Sequence, residues 1–365
     1  MSKQVRLSWK SCESCESCFR FPLVGVLFKR AYEEFRTVRR IKKAIIPIAG
    51  YGTRLFPATK AVPKALFPII AQDGFAKPII QLIIEEALTA RIEEVCLVAQ
   101  PHQVEPIADY FSGVVPAAIR EKAALAMQAD RLAEIGERLH FAIQAEPQGF
   151  GHAIYCAKAF ADGEPVMILL GDHLYLSETD VSCAKQLVDI YAQIGTSVTS
   201  LDICDESELH LNGIVHGHRG ARLETAPTGT DENGHQRARL QTAPTGTAEN
   251  RLFHLTHIAE KPTVDVARET LRVEGLSSQQ YLCNFGIDLL TPLLFDILEH
   301  HYRDNIVTHG EIQLRDAMAE LIRREGMGGY RVAGRRYDTG NPQELLKTVL
   351  AFAVHGPYRD AVGRI

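Results

Sequence analysis

Between Ala49 and Pro68 the chain packs two glycines, one arginine, two lysines and three prolines into a single stretch. Gly50 and Gly52 directly follow an apolar run, where glycines let backbone N–H groups come close to a phosphate or a base. Arg54 brings a planar fork of donors that suits phosphate, and Lys64 a movable point charge. Two familiar phosphate loops do not fit. A dinucleotide fingerprint needs Gly or Ala where Leu55 stands, and a P-loop needs Gly-Lys followed by Ser or Thr. An ordinary turn would explain the glycines and prolines, but not two cations fixed among three prolines. Farther on, Asp172 follows the almost wholly apolar Pro165–Leu170, and Glu260-Lys261-Pro262 follows Leu252–Ile258. Taken singly, Asp172 also suits a helix N-cap or a turn, and Glu260-Lys261 a surface charge pair.

These residues need a scaffold, and the hydrophobic pattern predicts one. Short apolar runs read as buried strands at 43–49, 94–100, 140–146, 165–170 and 196–203. Helical stretches are predicted at 79–90 with Pro78 at the first helical position, from 107, and at 120–139, 151–160 and 181–193. A further amphipathic helix at 342–353 is expected to pack on the core. Strands this apolar, alternating with helices, imply an α/β fold with a doubly wound, mostly parallel sheet covered on both faces. Ligands in such sheets bind at the carboxyl ends of the strands, so the loops after strands, with Gly50 onward and Asp172 among them, are the places to look.

The whole chain fits a globular protein. Its 365 residues are 46% hydrophobic and 23% charged, with a net charge of −5 that gives no footing for nucleic-acid binding. No apolar run reaches the roughly 18 residues of a spanning helix, so no membrane role is expected. Residues 1–43 hold eleven Lys/Arg against four Asp/Glu, so the acidic excess lies in the body. Residues 1–41 read as a poorly ordered basic extension. Its Cys12, Cys15 and Cys18 have the spacing of a three-thiolate metal site, but they sit in a Ser-Cys-Glu repeat that reads as low complexity. The other five cysteines stand singly in apolar stretches, as expected of free thiols in a cytoplasmic protein. The segment 221–233 recurs at 238–250 with eleven of thirteen positions identical, which suggests a duplicated surface loop. The body is expected to be one domain over 42–356, with this insertion at 221–250 and a tail at 357–365.

The ordered motifs resemble the sugar-1-phosphate nucleotidyltransferases, and among them the bacterial UTP–glucose-1-phosphate uridylyltransferases. Gly50 to Lys64 matches G-x-G-T-R-x-x-P-x-T-K-x-x-P-K, and the likeness continues through 79–90, Gln144 with 149–153, and 170–172. It then takes in 212–215, 259–262, 310–314 and 337–340, covering about 42–356 in order. The resemblance implies a Rossmann-like nucleotidyltransferase fold with a small β extension. It also implies attack by a sugar 1-phosphate on the α-phosphorus of UTP, giving a UDP-sugar and pyrophosphate. On it, Arg54, Lys64, Asp172 and Lys261 are the catalytic residues, and Asp172 is the carboxylate for Mg²⁺. The nucleotide falls to Ala49, Gly50, Gly52, Gln144 and Gly151, with Gln144 pairing to a pyrimidine edge and Gly151 leaving room for the base. The sugar falls to Gly213, Glu260 and Lys261. UTP and a sugar 1-phosphate are the expected partners, with a homo-oligomer possible in principle. A second metal carboxylate has no clear place, Asp288 being the nearest candidate, and the histidines, His152 and His173 included, need no catalytic role. Three departures stand out: Ala65 where the uridylyltransferases usually carry an acid, Gln148 where they usually have Lys, and Leu170-Gly171-Asp172 in the style of the broader superfamily. They leave the reaction class intact but keep dTTP or CTP as the nucleotide, or another hexose phosphate, as alternatives; an inactive sugar-nucleotide-binding relative is a separate rival.

Overall fold

The computed structural model describes residues 40–220 and 249–363. The basic extension with its three cysteines, and nearly all of the duplicated segment, lie outside the described residues. The described residues form thirteen strands: β1 Lys43–Pro47, β2 Pro68–Ile70, β3 Ala76–Pro78, β4 Glu94–Ala99, β5 Leu139–Ile143, β6 Val166–Leu169, β7 His173–Ser177, β8 Val198–Asp205, β9 Gly213–Arg219, β10 Leu252–Glu260, β11 Gln280–Leu290, β12 Met327–Arg331 and β13 Gly334–Asp338. Nine of them form one sheet in the order β5-β4-β1-β6-β11-β8-β12-β10-β9, while β2–β3 and β7–β13 make two small antiparallel pairs.

The fold is α/β, but the sheet is mixed rather than mostly parallel. Strands β5, β4, β1 and β6 run parallel, as does the β8–β12 pair. β11 runs antiparallel to β6 and β8, and β10 is antiparallel to β12 and β9. Apolar content could not reveal this, because it reports burial on both faces and not strand direction.

Both faces are covered. Ala44 and Ile46 of β1 belong to the core layer that holds helices Ile79–Thr89 and Cys183–Ile194. The alternate residue, Ile45, belongs to the layer that holds helices Phe150–Cys156, Leu293–Arg303 and Leu314–Glu325. Period-two alternation between two apolar layers is what a continuous apolar strand sequence encodes, and each fully buried Ile contributes roughly 1.5–3 kcal/mol. The expected helix at 120–139 is two, Ala117–Arg120 and Ala123–Gly136, and the helix expected from 107 begins at Pro101. Pro78 is the N-cap of the following helix and not its first residue, because it also ends β3, paired with Pro68. The helix Pro342–Val354 buries Thr348, Phe352 and Ala353 against the core. Among the described residues, no helix is long and apolar enough to cross a membrane.

Candidate active site

The parallel half of the sheet brings the ends of β1, β4, β5 and β6 to one edge, and there the loops carry Ala49, Gln100, Gln144 and Asp172. Gln100 Nε2 donates to the Ala49 carbonyl at 2.6 Å, which pins the start of the glycine loop to the end of β4. The loop then runs through three single-turn 3-10 helices anchored by buried Leu55 and Ala65. Gly52 has φ +63°, and a Cβ there would lie 2.9 Å from Thr59 Cγ2, so both conformation and space demand glycine. Around Gly50 no atom stands within 4 Å of a Cβ position, which leaves this backbone open to a ligand.

Asp172 is placed by close packing. A Cβ on Gly171 would lie 2.2 Å from the Pro47 carbonyl, so only glycine lets the chain leaving β6 press against β1. Lys64 Nζ donates to Asp172 Oδ2 at 2.8 Å, and His173 Nδ1 lies 2.9 Å from Oδ1. Burial would by itself raise the Asp172 pKa. The hydrogen bonds and charges of His173 and Lys64 outweigh it and hold the carboxyl well below the usual carboxylate range.

A further acid joins this group. β7 pairs with β13 so that His173 lies opposite Asp338, and the Thr339 N–H and hydroxyl both donate to the Asp172 carbonyl at 2.8 Å. Ligand atoms of Asp172, His173 and Asp338 fall within 4.8 Å of one another, a spacing that could hold a metal ion. Asp288 is paired with Arg315, while the carboxylate beside Asp172 is Asp338. Its signal was the Tyr337-Asp338-Thr339-Gly340 motif, noted for its order alone. His173, expected to be structural, also belongs to this group. Arg54 reaches the same place: a Cβ on Gly340 would lie 2.6 Å from Arg54 Nη2, 2.8 Å from Asp338 Oδ1 and 3.2 Å from Asp172 Oδ2. A second group of possible metal ligands, His300, His301 and Glu320, sits on the pair of helices Leu293–Arg303 and Leu314–Glu325. There Glu320 is already paired with Arg324.

A second cluster gathers Gly213, Glu260 and Lys261. β9 and β10 pair Gly213 with Glu260. Lys261 takes the left-handed conformation, φ +46°, and its N–H donates to the Asn212 carbonyl at 3.1 Å. Its Nζ lies 3.7 Å from Glu260 Oε1 and its side chain is exposed. The two clusters are tied by β13, which carries both Asp338 and Arg336. The Arg336 guanidinium donates to Asn212 Oδ1 at 2.7 Å and to the Asn284 carbonyl at 2.8 Å.

Gln144 is buried, and its Nε2 lies 3.1 Å from both the Gly149 carbonyl and His152 Nδ1. Gly151 packs closely on another backbone segment. A Cβ there would lie 2.9 Å from the Ile312 carbonyl, which also accepts the Gly151 N–H at 2.8 Å, so this glycine admits the 312–313 backbone.

Comparison with known proteins points the same way. The model of the nucleotidyl transferase family matches residues 43–209. Over 322 residues the chain is 33% identical to UTP–glucose-1-phosphate uridylyltransferase 1 of Staphylococcus saprophyticus, covering 87% of this chain and 95% of that one. It is 32% identical over 324 residues to the Bacillus subtilis UTP–glucose-1-phosphate uridylyltransferase, covering 87% and 92%. Among solved structures, UDP-glucose pyrophosphorylase complexed with UDP-glucose aligns with a TM-score of 0.63 and 26% identity, covering 86% of this chain and 98% of that one.

Proposed function

Because the chain belongs to the UTP–glucose-1-phosphate uridylyltransferase family, we infer that it transfers a uridylyl group from UTP to glucose 1-phosphate, releasing UDP-glucose and pyrophosphate. The observation that carries this reading is the convergence of Arg54 and Lys64 on the Asp172–Asp338 carboxylates at the carboxyl edge of the parallel strands.

The reaction is attack by a phosphate oxygen of glucose 1-phosphate on the α-phosphorus of UTP. The bond from the α-phosphorus to the bridging oxygen breaks, and pyrophosphate leaves with that electron pair. The attacking oxygen is already anionic near neutral pH, so the chain need supply no nucleophile. Its work is to align two polyanions and offset their charge. Arg54 and Lys64 hold the triphosphate and stabilise the departing pyrophosphate. Lys64 is bonded to Asp172, and triphosphate competes for that ammonium. The open backbone at Gly50, with Ala49 and Gly52 on either side of it, faces the nucleotide, and Gln144 and Gly151 line the base side. Lys261 binds the sugar's phosphate, Glu260 accepts from sugar hydroxyls, and Gly213 lets the ring approach.

Asp172 and Asp338 offer the hard carboxylate oxygens that suit Mg²⁺, and Asp172 is held ionised. Bound there, Mg²⁺ would neutralise phosphate charge and orient the reacting groups. We place the reaction in the cytoplasm, in keeping with five free cysteines among the described residues. The working unit is 42–356, so removing residues 1–41 should leave turnover intact. The decisive experiment is pyrophosphate release across a grid of nucleoside triphosphates and sugar 1-phosphates. We expect the strongest signal for UTP with glucose 1-phosphate, abolished by chelation. A stronger signal at another pairing would overturn the substrate assignment, and silence throughout would overturn the reaction.

A further inference from the structure

Helix Leu314–Glu325 begins with a residue that its own position disfavours. Arg315 lies in the first turn, where the helix dipole opposes a cation, and it is 7% exposed. The sheet supplies what the helix does not. Nη1 donates to Asp288 Oδ2 at 3.0 Å and lies 2.8 Å from Met318 Sδ, and Nη2 donates to Asn284 Oδ1 at 2.9 Å. Asp288, 1% exposed, is itself held through Oδ1 by Thr199 Oγ1 at 2.5 Å and Asn284 Nδ2 at 3.0 Å. With both ends of its fork engaged, the guanidinium has one orientation, which brings Nε to 3.8 Å from Glu260 Oε2.

That distance is too long for a hydrogen bond and short enough for a strong bias in a partly buried place. Glu260 therefore stands between two cations, Arg315 on Oε2 and Lys261 on Oε1, with lone pairs still available to a ligand. A Cβ on Gly213 would come within 3.2 Å of Glu260 Oε2 and 3.4 Å of Arg315 Nε, so the glycine keeps this contact clear. We propose that Arg315, clamped by Asp288 and Asn284, is a positioning residue that fixes the Glu260 carboxylate for sugar hydroxyls and so sets which hexose 1-phosphate is accepted. The proposal rests on the uridylyltransferase reading, in which Glu260 meets the sugar. A merely structural pair, joining helix to sheet, would leave sugar selectivity untouched.

The test compares wild type, Glu260→Gln and Arg315→Lys on glucose 1-phosphate and on analogues each lacking one ring hydroxyl. Arg315→Lys keeps the charge and loses the fork. It should raise the KM for glucose 1-phosphate about tenfold, the scale of a charged hydrogen bond, with the KM for UTP within about twofold. It should also lose discrimination at the same hydroxyl as Glu260→Gln. Should that variant fail to fold, the paired change Asp288→Asn with Arg315→Gln removes both buried charges together and should show the same sugar-specific loss. A folded variant with an unmoved analogue profile, or equal losses for both substrates, overturns the proposal. A wild type that turns over no sugar phosphate overturns the underlying reading instead, so the two failures are distinct.

Discussion

The side proposed to hold phosphate and the side proposed to hold the sugar are built differently. On the first, Lys64 and Asp172 are about one-fifth exposed, and Arg54 projects from a loop of single-turn helices. On the second, Arg315 and Asp288 are almost fully enclosed, and their side chains are held by one another, by Asn284 and by Thr199. The contrast follows from the ligands each must meet. A triphosphate is a flexible polyanion, recognised by charges that can move and trade partners. A hexose is told from its isomers by the direction of its hydroxyls, which demands acceptors that do not move.

This difference can be attacked from either side. The largest effect is expected on the mobile side. Asp172→Asn keeps the shape and removes the charge, and turnover measured by pyrophosphate release should fall at least about a thousandfold, roughly 4 kcal/mol of barrier. Its thermal midpoint should fall only moderately, since the freed Lys64 ammonium is part-exposed and can reach water, and UTP binding should survive in part. On the enclosed side the order reverses. Asp288→Ala leaves the Arg315 charge buried without its carboxylate and should cost about 3 kcal/mol of stability by denaturant titration. A loss of folding as large for Asp172→Asn as for Asp288→Ala would erase the distinction.

Proton linkage sharpens the comparison with opposite signs. The Asp172 pKa is depressed in the folded chain, so its stabilisation is present above its unfolded value, about 4, and fades as pH falls. Glu86, set against the first turn of helix Cys183–Ile194, behaves the other way. Burial pushes its pKa up to about 7, while its Oε1 still accepts the Ala184 N–H at 2.7 Å. Its contribution is full below its ordinary 4.5 and declines as pH rises through about 7. Glu86→Gln should therefore gain stability relative to wild type on going from pH 5 to pH 8, measured by thermal unfolding. An unchanged difference across that range would mean that Glu86 titrates normally.

The glycine loop with Arg54 and Lys64 was legible in the sequence because its chemistry is local: residue types and spacing within twenty positions state it. Asp172 was legible for a similar reason, as the acid after an apolar strand. The enclosed side was not. Asp288 stands out only as the nearest candidate for a second metal carboxylate and Arg315 not at all, since nothing near either in the chain names the other as its partner.

The sequence by itself determined the alternation of buried strands and helices, the phosphate loop and the reaction class, since burial and short-range motifs are properties of consecutive residues. Tertiary structure alone decided the direction of β11 and β10, which rests on pairings between distant strands. It decided also that Asp338 stands beside Asp172, through β7 meeting β13. And it turned Arg315 toward Glu260, because a buried guanidinium points where its fixed partners leave it room.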